Sequence, residues 1–121
     1  MEKTKSFKEL ILWQKAHELT LNIYKMTKDF PKDEVYALTS QVRRASVSVA
    51  ANIAEGYKKK TKPHKLSFLN ISEGSLEEVK YYLILSKDLD YIKKDTFTKL
   101  EALSDEVGRI LSGYSNAIRN N

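Results

Sequence analysis

Apolar residues recur along this chain in steps of three and four, in four runs separated by short breaks. The first run extends from about Phe7 to Asp29 and sets Leu12, Ala16, Leu19, Ile23, Met26 and Phe30 on one stripe, the period of a helix packed in a bundle. Phe30-Pro31 closes it, because the residue before a proline is pushed out of the α region. The second run opens near Pro31 to Asp33, where proline suits a first helical turn, and carries Val35, Leu38, Val42, Ala45, Val49 and Asn52. The third opens at Thr61-Lys62-Pro63 with Thr61 as N-cap and continues through Leu66, Leu69, Leu76, Val79 and Leu83. The fourth follows a break at Asp90-Tyr91, with Asp95 as a candidate cap, and uses Leu100, Leu103, Val107, Ile110, Tyr114 and Ala117. The predicted helices are residues 7–29, 32–58, 62–89 and 95–119.

Connections of a few residues make sequential helices antiparallel neighbours. The expected fold is therefore all-α: one domain over residues 1–121, an up-and-down antiparallel four-helix bundle, left-handed, long enough to bury a core unaided. Trp13 flanks the first stripe and is expected to be largely buried against a neighbouring helix. Two helices carry more apolar surface than one stripe needs: Phe68, Ile71, Tyr82, Leu85 and Leu89 on the third, and Thr39, Ser46, Ala50 and Ile53 on the second. Either each helix simply buries a broad face, or the extra stripe meets another subunit. Gly74 bears on the choice, since a glycine inside a helix costs roughly 1 kcal/mol relative to alanine and close approach by another helix would offset it. The expected oligomer interface is Ser46, Ala50, Gly74 and Ser75.

Composition removes most catalytic classes. There is no cysteine, and of the two histidines neither completes the Glu-x-x-His pair of a di-metal bundle, because Gln14 precedes His17 by three and Thr61 precedes His64 by three. No Gly-rich phosphate loop, dinucleotide fingerprint or nucleophile elbow is present. The adjacent carboxylates Glu77 and Glu78 point about 100° apart on a helix and read as a solvated residue and an ion partner. The expectation is a non-enzymatic protein with no cofactor and no metal. The lysine-rich start lacks an apolar core and no apolar run spans a membrane, so a cytoplasmic location is expected.

Charge supplies the positive signal. The net charge of +5 is local: Arg43, Arg44, Lys58, Lys59, Lys60, Lys62 and Lys65 face one acidic residue, Glu55, between positions 43 and 65. Arg43, Arg44, Asn52 and Glu55 lie on an otherwise apolar helix, and form either a structural polar network or a ligand site. Asn52, on the core stripe, is expected to fix register by interhelical hydrogen bonds. Lysines after a helix C-terminus complement its dipole, which accounts for one or two of Lys58, Lys59, Lys60, Lys62 and Lys65. Five in eight residues point to phosphate, with Tyr57 placed either to stack on a base or to pack. Two readings stay open: non-specific binding of RNA or DNA through this turn, or an oligomeric protein-interaction scaffold whose lysines serve solubility.

Phe7, Leu10, Trp13, Gln14 and Ala16, the Phe30-Pro31 break with Glu34 and Leu38, then Gln41, Arg43-Arg44-Ala45, Ser48, Asn52-Ile53-Ala54-Glu55-Gly56, Phe68-Leu69 and Gly74-Ser75-Leu76-Glu77-Glu78 form a distinctive set. Over roughly Phe7 to Ile92 the chain resembles the four-helix-bundle proteins of 23S ribosomal RNA intervening sequences. The isoleucine-proline or similar pair usual before the Asn-Ile-Ala-Glu-Gly string stands here as Val49-Ala50-Ala51. The resemblance implies a small, soluble, bacterial, all-helical protein that assembles as a ring-like homopentamer. Relatives include the accessory protein of diversity-generating retroelements, which binds nucleic acid and a reverse transcriptase. The family carries no catalytic residues to transfer, and its ribosomal label does not imply a ribosome component.

Overall fold

In a computed structural model, which describes residues 4–121, four helices follow one another: α1 (Ile11–Thr27), α2 (Leu38–Lys58), α3 (Lys62–Asp88) and α4 (Lys94–Arg119). Single 3-10 turns at Phe7–Glu9 and Lys32–Glu34 precede α1 and α2, and no strand occurs among the described residues. Cross-helix contacts fix an antiparallel order. Thr20 Oγ1 on α1 donates to the Ser46 carbonyl on α2 at 3.0 Å, and Ser72 Oγ on α3 donates to the Val49 carbonyl at 2.8 Å. Lys80 on α3 pairs with Asp105 on α4 at 3.4 Å, and Lys15 on α1 with Glu106 on α4 at 3.6 Å. Each helix thus lies between two others, in an up-and-down bundle.

Helices α1 and α3 bury the residues their periodicity marks: Leu12, Ala16, Leu19 and Ile23 from one, Leu69, Leu76, Val79 and Leu83 from the other. Ile53, assigned from sequence to the outer stripe of α2, is fully buried in the core. The fourth stripe is rotated from the expected one. Phe97, Leu100, Ser104, Val107, Leu111 and Ser115 face inward, while Leu103, Ile110 and Tyr114 are only half-buried and Ala117 is exposed. Serines explain the shift, because a stripe read from apolar residues skips positions 104 and 115. Ser46, Ser72 and Ser86 are also fully buried, and each donates to a helical carbonyl at 2.7–3.0 Å. Such small side chains let helix backbones approach closely; these three hydroxyls are paired, whereas Ser104 Oγ and Thr39 Oγ1 are buried without a partner among the described residues.

Two boundaries also differ. Pro31 is extended, Lys32–Glu34 forms a 3-10 turn, and α2 begins only at Leu38, whose N–H the Glu34 carboxylate accepts at 3.3 Å. Val35 is consequently exposed outside the helix. Asp95 falls within the first turn of α4, and the capping position is Lys93. The break at Asp90-Tyr91 holds: Asp90 takes the left-handed φ of 61°, and the Tyr91 N–H reaches back to the Ser86 carbonyl at 2.9 Å. Trp13 is half-buried rather than enclosed by a neighbouring helix. It sits edge-on to Phe7 with centroids 5.1 Å apart and stacks on His17 of its own helix at 4.8 Å.

Candidate nucleic-acid interface at the basic end

The antiparallel order brings the C-terminus of α2, the N-terminus of α3, the segment before α1 and the last turn of α4 to one end of the bundle. Gly56 lets the α2–α3 connection close tightly. A Cβ there would stand 3.2 Å from Phe68 Cβ and 3.4 Å from the Lys65 carbonyl oxygen. Thr61 caps α3 as expected, accepting the His64 N–H at 3.3 Å. Lys65 turns back on α2 and donates to the Tyr57 carbonyl at 2.8 Å and the Gly56 carbonyl at 3.4 Å, the latter also accepting the Lys59 N–H at 3.2 Å. Lys59 lies over the Phe68 ring at 5.0 Å from its centroid. Two of the five lysines are therefore engaged by the fold. Lys58, Lys60 and Lys62 are exposed, with no hydrogen-bond or ion partner among the described residues.

Other segments add to this charge. The Tyr57 hydroxyl donates to the Thr4 carbonyl at 2.8 Å and contacts Thr4 Oγ1 at 2.7 Å, fastening the N-terminal segment beside the turn. That fixes Tyr57 as a packed residue. Tyr114, half-buried on α4, has its phenol pushed above its ordinary value by burial and further by Tyr57. Lys5 and Lys58 flank one shallow recess with Phe7 and Glu55. Among the described residues this end thus holds eight cations, Lys5, Lys8, Lys58, Lys59, Lys60, Lys62, Lys65 and Arg119, and two carboxylates, Glu9 and Glu55. The N-terminal share was not visible in sequence, since only the fold brings Lys5 beside Lys58.

The polar residues of α2 do not act as one group. Arg43 is structural: its Nε donates to Thr27 Oγ1 on α1 at 2.8 Å, and its guanidinium lies 4.6 Å from the centroid of Tyr24. Asn52 is half-buried and bonds within α2, donating to the Ser48 carbonyl at 2.8 Å and to Ser48 Oγ at 3.0 Å. Register between α2 and α3 is held instead by Ser48 Oγ against Ser75 Oγ at 2.8 Å and by Ser72. Serines were not read as register residues in sequence, although their spacing on α3 is helical. Arg44 and Glu55 are exposed and form no ion pair among the described residues. Arg44 shares a recess with Glu78 and Ser75.

The four small residues expected at an oligomer interface divide as well. Ser46, Ala50 and Ser75 are buried inside the subunit, at 0%, 8% and 7% exposure, so their small size serves packing between helices of one chain. Gly74 points outward, with nothing within 4 Å of a Cβ placed there. Of the remaining sequence candidates, Glu77 pairs with Lys80 at 3.5 Å, while His17 and His64 are exposed. No three His, Asp or Glu side chains converge among the described residues.

The described residues thus form an all-helical bundle with a basic end. The chain belongs to the 23S rRNA-intervening sequence protein family, whose model matches residues 8–113. Among solved structures it is similar to a protein of unknown function from the S23 ribosomal protein family of Bacteroides thetaiotaomicron VPI-5482. That likeness has a TM-score of 0.78 at 22% identity, over 87% of this chain and 98% of the other, and it shows the fold. No curated protein sequence matches the chain. No helix among the described residues is long and apolar enough to cross a membrane.

Proposed function

We propose that this protein is a non-catalytic, homo-oligomeric bundle that binds RNA or DNA without sequence preference through its basic end. The observation that carries this reading is the convergence of three chain segments, which sets eight cations against two carboxylates while leaving Lys58, Lys60 and Lys62 free for phosphate. One such surface makes few phosphate contacts and binds weakly. An oligomer repeats it, and avidity multiplies affinity by about 10²–10⁴. The chain's resemblance to this family supplies the expectation of a ring-like homopentamer. The family takes its name from intervening sequences of 23S ribosomal RNA.

Gel retardation with a short single-stranded RNA and a DNA duplex at low salt tests the proposal. Affinity falls with salt, each neutralised phosphate adding roughly 0.7–0.9 to the log–log slope. Replacing Lys58, Lys59, Lys60, Lys62 and Lys65 by glutamine abolishes retardation with helicity intact. Absence of retardation by the wild type, or equal binding by the variant, overturns it in favour of a protein-interaction scaffold.

A further inference from the structure

Near the C-terminus of α2, Ala54, Tyr57 and Lys58 share one face, because helical positions three and four apart are neighbours. The segment Lys5-Ser6-Phe7 lies against that face and leaves a recess of about 440 Å³. Sites for small molecules have volumes of about 300–1,000 Å³. The Phe7 ring and the Ala54 methyl group give the recess apolar walls, and the exposed Lys5, Lys58 and Glu55 stand at its rim. Both walls are fastened before any ligand arrives. Ser6 Oγ accepts the Lys8 N–H at 3.2 Å, the Leu10 N–H reaches the Phe7 carbonyl at 3.0 Å, and Trp13 meets the Phe7 ring. Gln14 Nε2 on α1 donates to the Lys8 carbonyl at 2.9 Å, and Tyr57 holds Thr4. A recess held in this way loses little affinity to ordering.

The lining selects the class of occupant. An apolar slot with an aromatic wall between two ammonium groups suits a flat ring with a phosphate on either side. A nucleotide within a strand has that form. A base stacked and paired in a duplex cannot reach such a slot without flipping out. Glu55 forms no ion pair among the described residues, although cations crowd this end. Its carboxylate only accepts, and every base offers an N–H on the edge that pairing occupies.

We propose that the recess between Phe7 and Ala54 receives one unpaired nucleobase, with the adjoining phosphates on Lys5 and Lys58, so that the basic end selects single strands over duplex. This inference rests on the nucleic-acid reading above and adds the state of the strand to it. Stacking on an aromatic ring tolerates any base, so no sequence preference follows.

Fluorescence anisotropy tests it with three probes: an oligothymidylate of about ten nucleotides, an abasic strand of that length and a duplex of that length. The two single strands carry equal charge. Phosphate contacts alone therefore predict equal affinities for them and tighter binding of the duplex. A base in the recess makes oligothymidylate bind about tenfold more tightly than the abasic strand, and more tightly than the duplex. The ratio of the two strands holds as salt rises, because counterion release is common to both. Ala54→Leu fills the recess without changing charge; it brings oligothymidylate down to the abasic value and leaves abasic binding unaltered. Phe7→Ala removes the ring and does the same, and circular dichroism identifies any variant that does not fold. Equal binding of the two strands by the wild type, or an equal loss of both in folded Ala54→Leu, overturns the recess and leaves the phosphate reading standing. No binding of any probe at low salt overturns both.

Discussion

At each end of the bundle a tyrosine hydroxyl makes a tie: Tyr57 of α2 reaches Thr4 in the N-terminal segment at one, and Tyr91 in the α3–α4 connection reaches the Glu34 carboxylate in the α1–α2 connection at 2.8 Å at the other. Phe30 supports the second tie, its ring centroid 5.3 Å from that of Tyr91. The far end closes two helix connections and the basic end one, and the charge differs as well. The far end carries Lys25, Lys28, Lys32, Lys87, Lys93 and Lys94 against Asp29, Asp33, Glu34, Asp88, Asp90 and Asp95, six of each sign. The basic end carries eight cations and two carboxylates among the described residues. Closing two helix connections evidently requires no excess of lysine. Lys65 and Lys59 have packing roles at the basic end, and what remains after subtracting them is a surplus that the fold does not use.

The largest effect should come from moving the comparison onto nucleic acid. Glutamine at Lys58, Lys60 and Lys62 removes three free cations, and glutamine at Lys28, Lys32 and Lys93 removes three from the balanced end. The first set lowers affinity for a short RNA by at least tenfold at low salt and flattens the salt dependence; the second changes neither. Fluorescence anisotropy against salt concentration measures both. Equal losses in the two sets would mean that net charge matters and its placement does not.

Next in size is the fit of the basic end itself. Gly56→Leu forces a side chain into the gap where a Cβ already stands 3.2 Å from Phe68, and should cost about 1–3 kcal/mol through overpacking. Urea denaturation followed by circular dichroism measures the loss. A cost within experimental error would show that the α2–α3 connection yields freely, and that the lysines are not held in a fixed arrangement.

How much of this was legible in the sequence follows from which side chains carry each feature. Apolar residues at helical steps define α1, and on α3 they bracket a single gap at Ser72 that is too short to shift the stripe; most of the residues read from both stripes are buried. Where serine takes a core position, as at Ser104 and Ser115, hydropathy misplaces the stripe, because so small a side chain is buried whatever its polarity: the Ser104 hydroxyl has no partner among the described residues, and that of Ser115 reaches the Glu73 carboxylate at 3.5 Å. Pro31 followed by Asp33 and Glu34 has the composition of a helix start, yet those residues make only a 3-10 turn, and Tyr36 is 95% exposed before α2 begins. The basic turn was plain from charge alone. Which of its lysines hold the fold was not, because the role of Lys65 depends on how α3 crosses the end of α2. Asn52 misled for a related reason: a polar residue on the core stripe can bond to its own helix as readily as to another.

That division among the lysines gives a smaller effect. Lys65→Met keeps the aliphatic stem and removes the ammonium that caps α2, at a cost of about 1 kcal/mol. Lys62→Met touches no such acceptor and should cost less than about 0.5 kcal/mol. Chemical denaturation of the two variants side by side separates the capping lysine from the free one. Equal costs would remove the distinction drawn between them.

The smallest effect belongs to the far end and appears only at alkaline pH. The Tyr91 phenol is held above its ordinary value, chiefly by its hydrogen bond to Glu34, with burial and the charges of Glu34 and Asp33 adding to it. A phenol whose pKa is higher in the folded than in the unfolded chain contributes stability that is complete below the unfolded value. That contribution is lost as pH rises through the folded one. The reason is direct: the unfolded chain gives up this proton first, and ionisation of Tyr91 in the folded chain would place a phenolate against a carboxylate. Stability should therefore be level with respect to this group up to about pH 10 and decline above it. Tyr82, raised by burial and by Glu78, and Tyr114 decline in the same direction, so the wild type shows their joint slope. Tyr91→Phe removes one share of that slope while lowering stability at neutral pH, since the Glu34 carboxylate then lacks its phenol donor. Thermal unfolding of wild type and variant between pH 8 and 11 reads the difference. Parallel curves over that range would show that the Tyr91 tie, unlike its geometry, is indifferent to the charge of its acceptor.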